Sequence, residues 1–147
     1  MADSYRIRPA TEADLGQVHA IERRVFRNPW TLGGFRAFLS DLVLVVESDG
    51  DVAGYVVARY AADMGEILNV AVHPDHWRRG LARRLVTESL EQLVGKGVAM
   101  VFLEVRESNA AARALYDELG FEPVGRRPGY YRNPTEDALV LARPLSA

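Results

Sequence analysis

The sequence predicts an α/β fold in which helices cover both faces of a mixed, mostly antiparallel β-sheet. Two observations carry this prediction. Strand-like segments follow one another in the first half of the chain, and the Asp49-Gly50 pair between two of them is typical of an antiparallel hairpin. In the second half, helical and strand-like segments alternate, which requires crossover connections and therefore a mixed sheet with helices on both faces.

The first 40 residues predict one short strand followed by two helices. Residues 5–8 alternate in polarity, as a half-buried strand does. Thr11 begins a helix, because Asp14 follows at the capping-box spacing and apolar residues then recur at helical intervals. Residues 27–30 (Arg-Asn-Pro-Trp) end this helix. A second, weaker helix is expected over residues 31–39, because its two glycines disfavour helical structure.

The rest of the chain predicts a β-meander and then helices and strands in alternation. A loop carrying Tyr130, Tyr131 and Pro134 is expected before the last strand. The predicted strands are residues 42–48, 52–60, 66–72, 98–105, 121–125 and 138–143, and the predicted helices run from residue 79 or 80 to 94 and from 109 to 119.

The composition is that of a single globular domain spanning residues 1–147. Hydrophobic residues make up 48% of the chain, enough to bury a core without metal ions or disulfides. The absence of cysteine excludes a thiolate nucleophile and a Cys-based zinc site. His19, His73 and His76 lack metal-ligand spacing, so no metal is expected. Because no signal-like start or membrane-length apolar run is present, we expect a cytoplasmic protein without a membrane partner.

The charge distribution argues against a general nucleic-acid partner. The formal net charge is -2, whereas nucleic-acid-binding domains are normally basic as a whole. Arg78, Arg79, Arg83 and Arg84 nevertheless fall within seven residues. A local basic cluster on a near-neutral background favours a compact anionic ligand, and a solvated helix face is the alternative.

The same arginines lie where a predicted strand leads through a short loop into a helix. A helix N-terminus offers backbone N–H groups without intrahelical partners and a partial positive charge. Gly80 and Ala82 have little or no side chain, so a phosphate group can approach their backbone amides closely. The segment matches neither the Walker A motif nor GxGxxG. A helix start with a small residue packed on a strand is the alternative.

Two segments carry a family resemblance. Residues 76–82 read His-Trp-Arg-Arg-Gly-Leu-Ala, and residues 103–111 read Leu-Glu-Val-Arg-Glu-Ser-Asn-Ala-Ala. The first resembles the Gln/Arg-x-x-Gly-x-Gly/Ala motif of the GNAT superfamily of N-acetyltransferases, with Trp77 where the family has Gln or Arg. The second resembles the next GNAT motif, and its sequence is similar to that of RimI-type enzymes. Residues 26–30, 130–131 and 136–138 are similar to RimI-type enzymes as well. The resemblance covers nearly the whole chain in the expected order.

The resemblance implies a fold and a way of binding acetyl-CoA. In the GNAT fold two central parallel strands, here residues 66–72 and 98–105, diverge into a V-shaped split. The pantetheine arm pairs with free backbone groups of the first strand, and the pyrophosphate lies on the amides that begin the next helix. The implied cofactor-binding residues are Val70, Ala71, Val72, Arg78, Arg79, Gly80, Leu81, Ala82, Arg83 and Asn109. For Asn109, a role as helix N-cap is the alternative.

The resemblance also implies two catalytic residues, Glu104 as general base and Tyr116 as general acid toward the departing CoA thiolate. Glu104 lies in an otherwise apolar strand, where a carboxylate is costly unless paired or functional. An ion pair with a neighbouring arginine is the alternative for Glu104, and a core aromatic is the alternative for Tyr116. Since the chain has no cysteine and no serine in a nucleophile motif, direct attack of an amine on the thioester is expected.

The acceptor implied by the resemblance is a protein N-terminus that begins with alanine, that of small ribosomal subunit protein eighteen. Two segments rich in aromatic residues are expected to contact this peptide, and aromatics packed on the rim are the alternative. The residues concerned are Phe26, Pro29, Trp30, Tyr130 and Tyr131. Two other functions stay open. One is acetylation of a small-molecule amine, which needs a more acidic pocket, and the other is a sensor module that binds acetyl-CoA without turnover.

Overall fold

Residues 4–146, which the computed structural model describes, form seven β-strands and four α-helices. The strands are β1 Tyr5–Pro9, β2 Leu42–Ser48, β3 Asp51–Ala61, β4 Met64–Val72, β5 Met100–Arg106, β6 Glu122–Tyr131 and β7 Glu136–Pro144. The helices are α1 Leu15–Val25, α2 Leu32–Arg36, α3 Leu81–Gly95 and α4 Ala110–Glu118, with short 3-10 helices at Glu12–Asp14 and Pro74–His76. No helix within the described residues is long and apolar enough to cross a membrane.

The sheet has the strand order β1-β2-β3-β4-β5-β7-β6, and its central neighbours β4 and β5 are parallel. The other neighbouring pairs are antiparallel. Pairing between β4 and β5 ends where Ile67 lies opposite Leu103, although β4 continues to Val72 and β5 to Arg106. The two strands therefore diverge at their carboxyl ends into a V-shaped split, which confirms the predicted fold class.

A β-bulge in β4 lies at the point where the strands diverge. Ile67 and Asn69 lie opposite consecutive residues of β3, so Leu68 between them has no partner in that ladder. A bulge bends its strand and places two successive side chains on the same face. Leu68 packs into the apolar cluster of α1, and Asn69 donates a hydrogen bond to Glu22 of α1. The bulge thus turns β4 away from β5 and presents Asn69 on the α1 face.

Two apolar cores lie on opposite faces of the sheet. On one face α1 and α2 pack against β2 and β3, with Val18, Phe35 and Tyr55 fully buried. On the other face α3 and α4 pack against the sheet, and Leu85 and Leu93 of α3 are fully buried. Each such burial contributes about 1.5–3 kcal/mol. The helical periodicity that predicts α3 and its buried face is confirmed.

The prediction that Tyr130 and Tyr131 lie in a loop was wrong. Both belong to β6, which pairs with β7 as far as Tyr131 opposite Glu136. Nearly every side chain of β6 is exposed, and the segment contains Pro and Gly, so it lacks the apolar alternation that indicates a strand. Backbone pairing with β7 holds this edge strand in the sheet.

The first two helices differ from their predictions in length. The segment after Thr11 begins as a 3-10 turn, and the Asp14 carboxylate accepts from the Thr11 backbone N–H at 2.7 Å, as a capping box requires. The second helix is capped by Thr31, whose hydroxyl accepts from the Gly34 N–H, but it ends at Arg36 and not at residue 39. Its two glycines explain the short length, because glycine is a poor helix former.

Candidate active site

A cleft of about 1150 Å³ lies at the split between β4 and β5 and is lined by residues from both faces of the sheet. Its walls come from the α1–α2 segment, β4, β5, α4 and the β6–β7 turn. Of the residues that the sequence predicts for the site, the cleft brings together Phe26, Trp30, Val70, Glu104, Asn109, Tyr116, Tyr130 and Tyr131. It does not include Pro29, which is exposed, or Ala71 and Val72, whose side chains are buried in the cores. Residues 78–83, predicted to bind the cofactor, also lie outside this cleft.

Glu104 enters the cleft because of the alternation along β5. Leu103 and Val105 are buried in the core beneath α3, so Glu104 between them projects from the opposite face. Its side chain is 17% exposed, and the Arg127 guanidinium lies within ion-pair range of Oε2. This approach lacks hydrogen-bond geometry, and Oε2 is buried without a hydrogen-bond donor among residues 4–146. The ion pair that is the alternative for Glu104 is therefore present, and the guanidinium lies against the buried Oε2 of the carboxylate.

Tyr116 reaches the cleft from α4 and is also part of the core. Its ring packs edge-on against Phe121 at 5.6 Å, and only 8% of the residue is exposed. Burial, together with the nearby Tyr131, raises the pKa of Tyr116 to about 12. The phenol therefore keeps its proton at neutral pH and can act as a hydrogen-bond or proton donor.

Tyr131 lines the wall of the cleft formed by the end of β6. Burial and the nearby Glu104 raise the pKa of Tyr131 to about 12, so it too stays protonated near neutral pH. Its ring packs edge-on against Tyr130 at 5.1 Å and lies 4.5 Å from the guanidinium of Arg106. Such cation–π contact fixes the ring in place.

Arg106, at the end of β5, holds the β6–β7 turn. Its guanidinium donates to the carbonyls of Arg132 at 2.9 Å and Pro134 at 3.2 Å, and pairs with Glu136 at 3.2 Å. Glu136 in turn accepts from the Ser108 N–H at 2.5 Å. Nothing in the local sequence around Arg106 distinguishes it from a solvated arginine, so its role is visible only in the folded chain.

The segment between α1 and α2 meets the β6–β7 turn directly. The Asn28 amide donates to the Arg132 carbonyl at 3.2 Å and accepts from the Asn133 amide at 3.4 Å. The Arg27 guanidinium donates to the Asn133 carbonyl at 3.4 Å. We call these contacts between Arg27–Asn28 and Arg132–Asn133 the roof. Because the roof joins the two aromatic walls, one side of the cleft is closed over.

Trp30 belongs both to the cleft wall and to the packing of α2. Its ring packs against Phe35 at 5.1 Å and Phe38 at 5.5 Å, and its backbone N–H donates to Glu22 at 2.9 Å. Phe26 likewise packs on the apolar cluster of α1 while lining the cleft. The Phe26 and Trp30 rings are therefore packed on the rim of the cleft, as the alternative prediction from the sequence describes. They form a fixed wall.

The loop before α3 has the backbone geometry of an anion cradle. Arg78 and Gly80 have φ values of +65° and +72°, and the space around Gly80 is open. A left-handed arginine costs about 1–3 kcal/mol and persists where the surrounding structure requires it. A turn in which left-handed residues alternate with other conformations can point backbone N–H groups into a concavity that suits anions, and the N-terminus of α3 adds its partial positive charge. These residues fit a diphosphate group.

Several side chains around this cradle form contacts with other parts of the protein. The Arg79 guanidinium donates to the Tyr5 hydroxyl at 2.8 Å, and Arg83 pairs with Glu118. The Trp77 indole N–H donates to the Val72 carbonyl at 2.6 Å, which differs from the free backbone that the resemblance implies at Val72. Leu81 and Ala82 pack into the core, so at these two positions only the backbone amides are available to an anion.

Asn109 combines its two expected positions. Its side-chain oxygen accepts from the Ala112 N–H at 3.1 Å, which makes it the N-cap of α4. The same residue lines the cleft. The capping role expected as the alternative is therefore present, and it fixes the side chain at the rim where α4 begins.

Comparison with known proteins identifies the family. Residues 15–121 match the model of the acetyltransferase (GNAT) family. The chain belongs to the GNAT acetyltransferases. It is 37% identical over 139 residues to the ribosomal protein bS18-alanine N-acetyltransferase of Escherichia coli strain K12, covering 90% of this chain and 93% of that one. The Salmonella typhimurium protein of the same name is 38% identical over the same shares.

Solved structures agree with the family assignment. The crystal structure of the Escherichia coli ribosomal-protein-S18-alanine N-acetyltransferase superposes with a TM-score of 0.91 at 35% identity, covering 97% of this chain and 95% of that one. Ard1 from Thermoplasma volcanium superposes with a TM-score of 0.93 at 23% identity, covering 99% and 100%, and shares the fold. The GNAT and RimI-type resemblance is thus confirmed, and the chain is an acyltransferase of this family.

Proposed function

We propose that this GNAT enzyme transfers the acetyl group of acetyl-CoA to the α-amine of a protein N-terminus that begins with alanine, with ribosomal protein bS18 as its substrate. The observation that carries the proposal is the roof, where Asn28 contacts the β6–β7 turn. A roofed cleft admits the end of a chain and hinders a lysine flanked by backbone on both sides. Relatives named for this activity, with 37% and 38% identity, support the same substrate.

The proposed site for acetyl-CoA is the split and the cradle beside it. Backbone amides of residues 78–83 hold the diphosphate, since the cradle combines left-handed backbone with a helix N-terminus. Beyond Ile67, the β4 edge that faces β5 has no strand partner among the described residues, so the backbone of Val70 and Ala71 can pair with the pantetheine arm. When bound, acetyl-CoA supplies the acetyl group as a thioester.

The proposed chemistry uses Glu104 and Tyr116 on opposite sides of the reacting atoms. An α-amine has a pKa of about 8, so roughly a tenth of it is neutral at pH 7. Glu104 takes the proton that the amine loses as its nitrogen bonds to the acetyl carbon. Tyr116 donates its proton to the sulfur as the C–S bond breaks, and a backbone N–H near Val70 or Ala71 stabilises the carbonyl oxygen.

The aromatic walls favour a small first side chain. Phe26 and Trp30 pack on the α1 core, and the Tyr131 ring contacts the Arg106 guanidinium. Moving these rings apart would therefore break packing contacts. A bulky first residue must then displace packed rings, whereas alanine occupies the space between them. The expected order of preference is alanine, then serine or glycine, then larger residues.

The test is to locate the acetyl group on a bS18-type peptide that starts with alanine and also contains lysine. Fragmentation mass spectrometry is expected to find the label on the α-amine. Formylation of the α-amine is expected to abolish the reaction although lysines remain, because the nucleophile itself is blocked. Label mainly on lysine overturns the N-terminal assignment and leaves the family assignment intact.

Tyr131→Ala is expected to raise KM for the peptide about 10-fold while leaving KM for acetyl-CoA nearly unchanged, since the ring lies on the acceptor wall. The measurement is steady-state kinetics with each substrate varied in turn. Tyr131→Phe is the matched variant, because it keeps the ring beside Arg106 and should stay near the parent. An equal rise in both KM values contradicts the acceptor-side placement.

A further inference from the structure

Glu22 of α1 is a buried carboxylate that the proposed chemistry does not use. The residue is 2% exposed and lines the cleft. Its Oε1 accepts from the Tyr55 hydroxyl at 2.5 Å and the Asn69 amide at 2.8 Å, and its Oε2 accepts from the Trp30 N–H at 2.9 Å. Burying a charge is costly unless it is well hydrogen-bonded, and here three donors from three separate segments of the chain offset that cost.

The contact with Asn69 fixes the orientation of an amide beside the split. Since Asn69 donates through Nδ2 to Glu22, its carbonyl oxygen Oδ1 is on the other side of the amide. Asn69 lies directly after the bulge of β4, where β5 has already diverged, and it lines the cleft together with Glu104. The arrangement thus leaves Oδ1 as a hydrogen-bond acceptor at the α1-side wall of the split.

The other donors keep Glu22 in its acceptor role. Burial, followed by the negative charge of Glu22, raises the pKa of Tyr55 above its usual value, so the phenol remains a donor. The Trp30 backbone N–H can only donate. Because both Glu22 oxygens already accept hydrogen bonds, Glu22 acts only as an acceptor toward Asn69. If the Asn69 amide rotated by 180°, its Oδ1 would face Glu22 Oε1, and two acceptors would be in contact.

We infer that Glu22 is a positioning residue that holds the Asn69 amide so that its carbonyl oxygen accepts a hydrogen bond from the acceptor amine. This inference rests on the proposed function for the identity of the amine. A neutral amine has two N–H groups and one lone pair, and fixing one N–H on Asn69 aims the lone pair at the acetyl carbon. Such orientation raises the rate without any proton transfer by Asn69 itself.

The inference makes Glu22 and Asn69 energetically coupled. Glu22→Gln introduces an NH2 group that cannot face the Trp30 N–H, so it turns toward Tyr55 and Asn69 and favours the reversed Asn69 amide. Asn69→Leu removes the acceptor oxygen at similar volume and keeps Glu22 bonded to Tyr55 and Trp30. Each change is expected to lower kcat/KM for the acceptor about 10- to 100-fold, because the amine gains positive charge as it attacks and a hydrogen bond to a charged group is worth a factor in this range.

The experiment is a double-mutant cycle of Glu22→Gln and Asn69→Leu, read as kcat/KM on the amine that the parent acetylates best in a panel of N-terminal peptides, lysine peptides and polyamines. If Glu22 acts through Asn69, Glu22→Gln has a much smaller effect in the Asn69→Leu background than in the parent. Acetyl-CoA affinity by calorimetry is expected to stay at the parent value in every variant.

Tyr55→Phe is the matched control for a purely structural role of the network. It removes one donor to Glu22 and leaves the contacts to Asn69 and Trp30, so it should lower the melting temperature with little effect on acceptor kinetics. Parent-like kcat/KM in folded Asn69→Leu overturns the inference, as does an equal effect of Glu22→Gln in both backgrounds. A parent that prefers an amine other than an N-terminus refutes the proposed function alone, since the cycle is read on the preferred amine.

Discussion

Glu104→Gln is expected to bind acetyl-CoA like the parent and to lower kcat by about 10²–10⁴-fold, the usual effect of losing a general base. The change keeps the shape of the side chain and removes its ability to take a proton. The physical ground is the position of Glu104 in the cleft, where its side chain is 17% exposed beside the Arg127 guanidinium. Single-turnover rates at saturating acetyl-CoA measure the effect on chemistry directly.

Two variants separate catalysis by Glu104 from its ion pair. Glu107→Gln makes the same change on a carboxylate three residues further along, which pairs with Arg126 and does not line the cleft. Arg127→Ala removes the ion-pair partner of Glu104. Because the Arg127 side chain is 60% exposed, its loss should change kcat by no more than about fivefold. If Arg127→Ala lowers kcat as much as Glu104→Gln, or if Glu104→Gln is as fast as the parent, Glu104 has a structural role.

Gly80→Asp is expected to weaken acetyl-CoA binding about 10- to 100-fold while the protein stays folded. A carboxylate at this position lies where the diphosphate approaches the backbone amides, and hydrogen bonds to charged groups are worth about 1.5–3 kcal/mol each. A Cβ at Gly80 has no protein atom within 4 Å, so the substitution creates no clash at that carbon. Isothermal calorimetry with acetyl-CoA is the measurement.

Gly97→Asp is the matched control for the backbone at Gly80. Gly97 also has a positive φ, +85°, and open space around it, but it follows the C-terminal end of α3. Both variants carry the same left-handed strain, and only one places charge at the cradle. Equal losses of acetyl-CoA affinity in the two variants, or unchanged affinity in folded Gly80→Asp, contradict the cradle as the diphosphate site.

Local patterns were sufficient to predict most of the fold. Asp49 and Gly50 both adopt positive φ, as the hairpin turn between β2 and β3 requires, and this pair is visible in the sequence. The helical periodicity of α3 reflects one buried face, which also leaves a mark on the sequence. β6 could not be predicted in full, because an exposed edge strand stabilised by backbone pairing needs no apolar pattern.

Part of the candidate site was likewise predictable from the sequence and part was not. Glu104 and Tyr116 are identified through segments that resemble family motifs, and the structure brings both to one cleft. The roof joins residues more than a hundred positions apart, and the Glu22–Asn69 contact spans 47 positions. Single side chains far apart in sequence leave no periodic signal, so these contacts require the folded chain to be seen.

The proposed substrate is tested most directly by kcat/KM on two peptides that share the bS18 N-terminal sequence and differ only in starting with alanine or leucine. Packed aromatic walls and the roof predict that the alanine peptide is acetylated at least about 10-fold more efficiently, in the range that a poorly accommodated apolar side chain costs. Equal kcat/KM values for the two peptides contradict a site built for an N-terminal alanine.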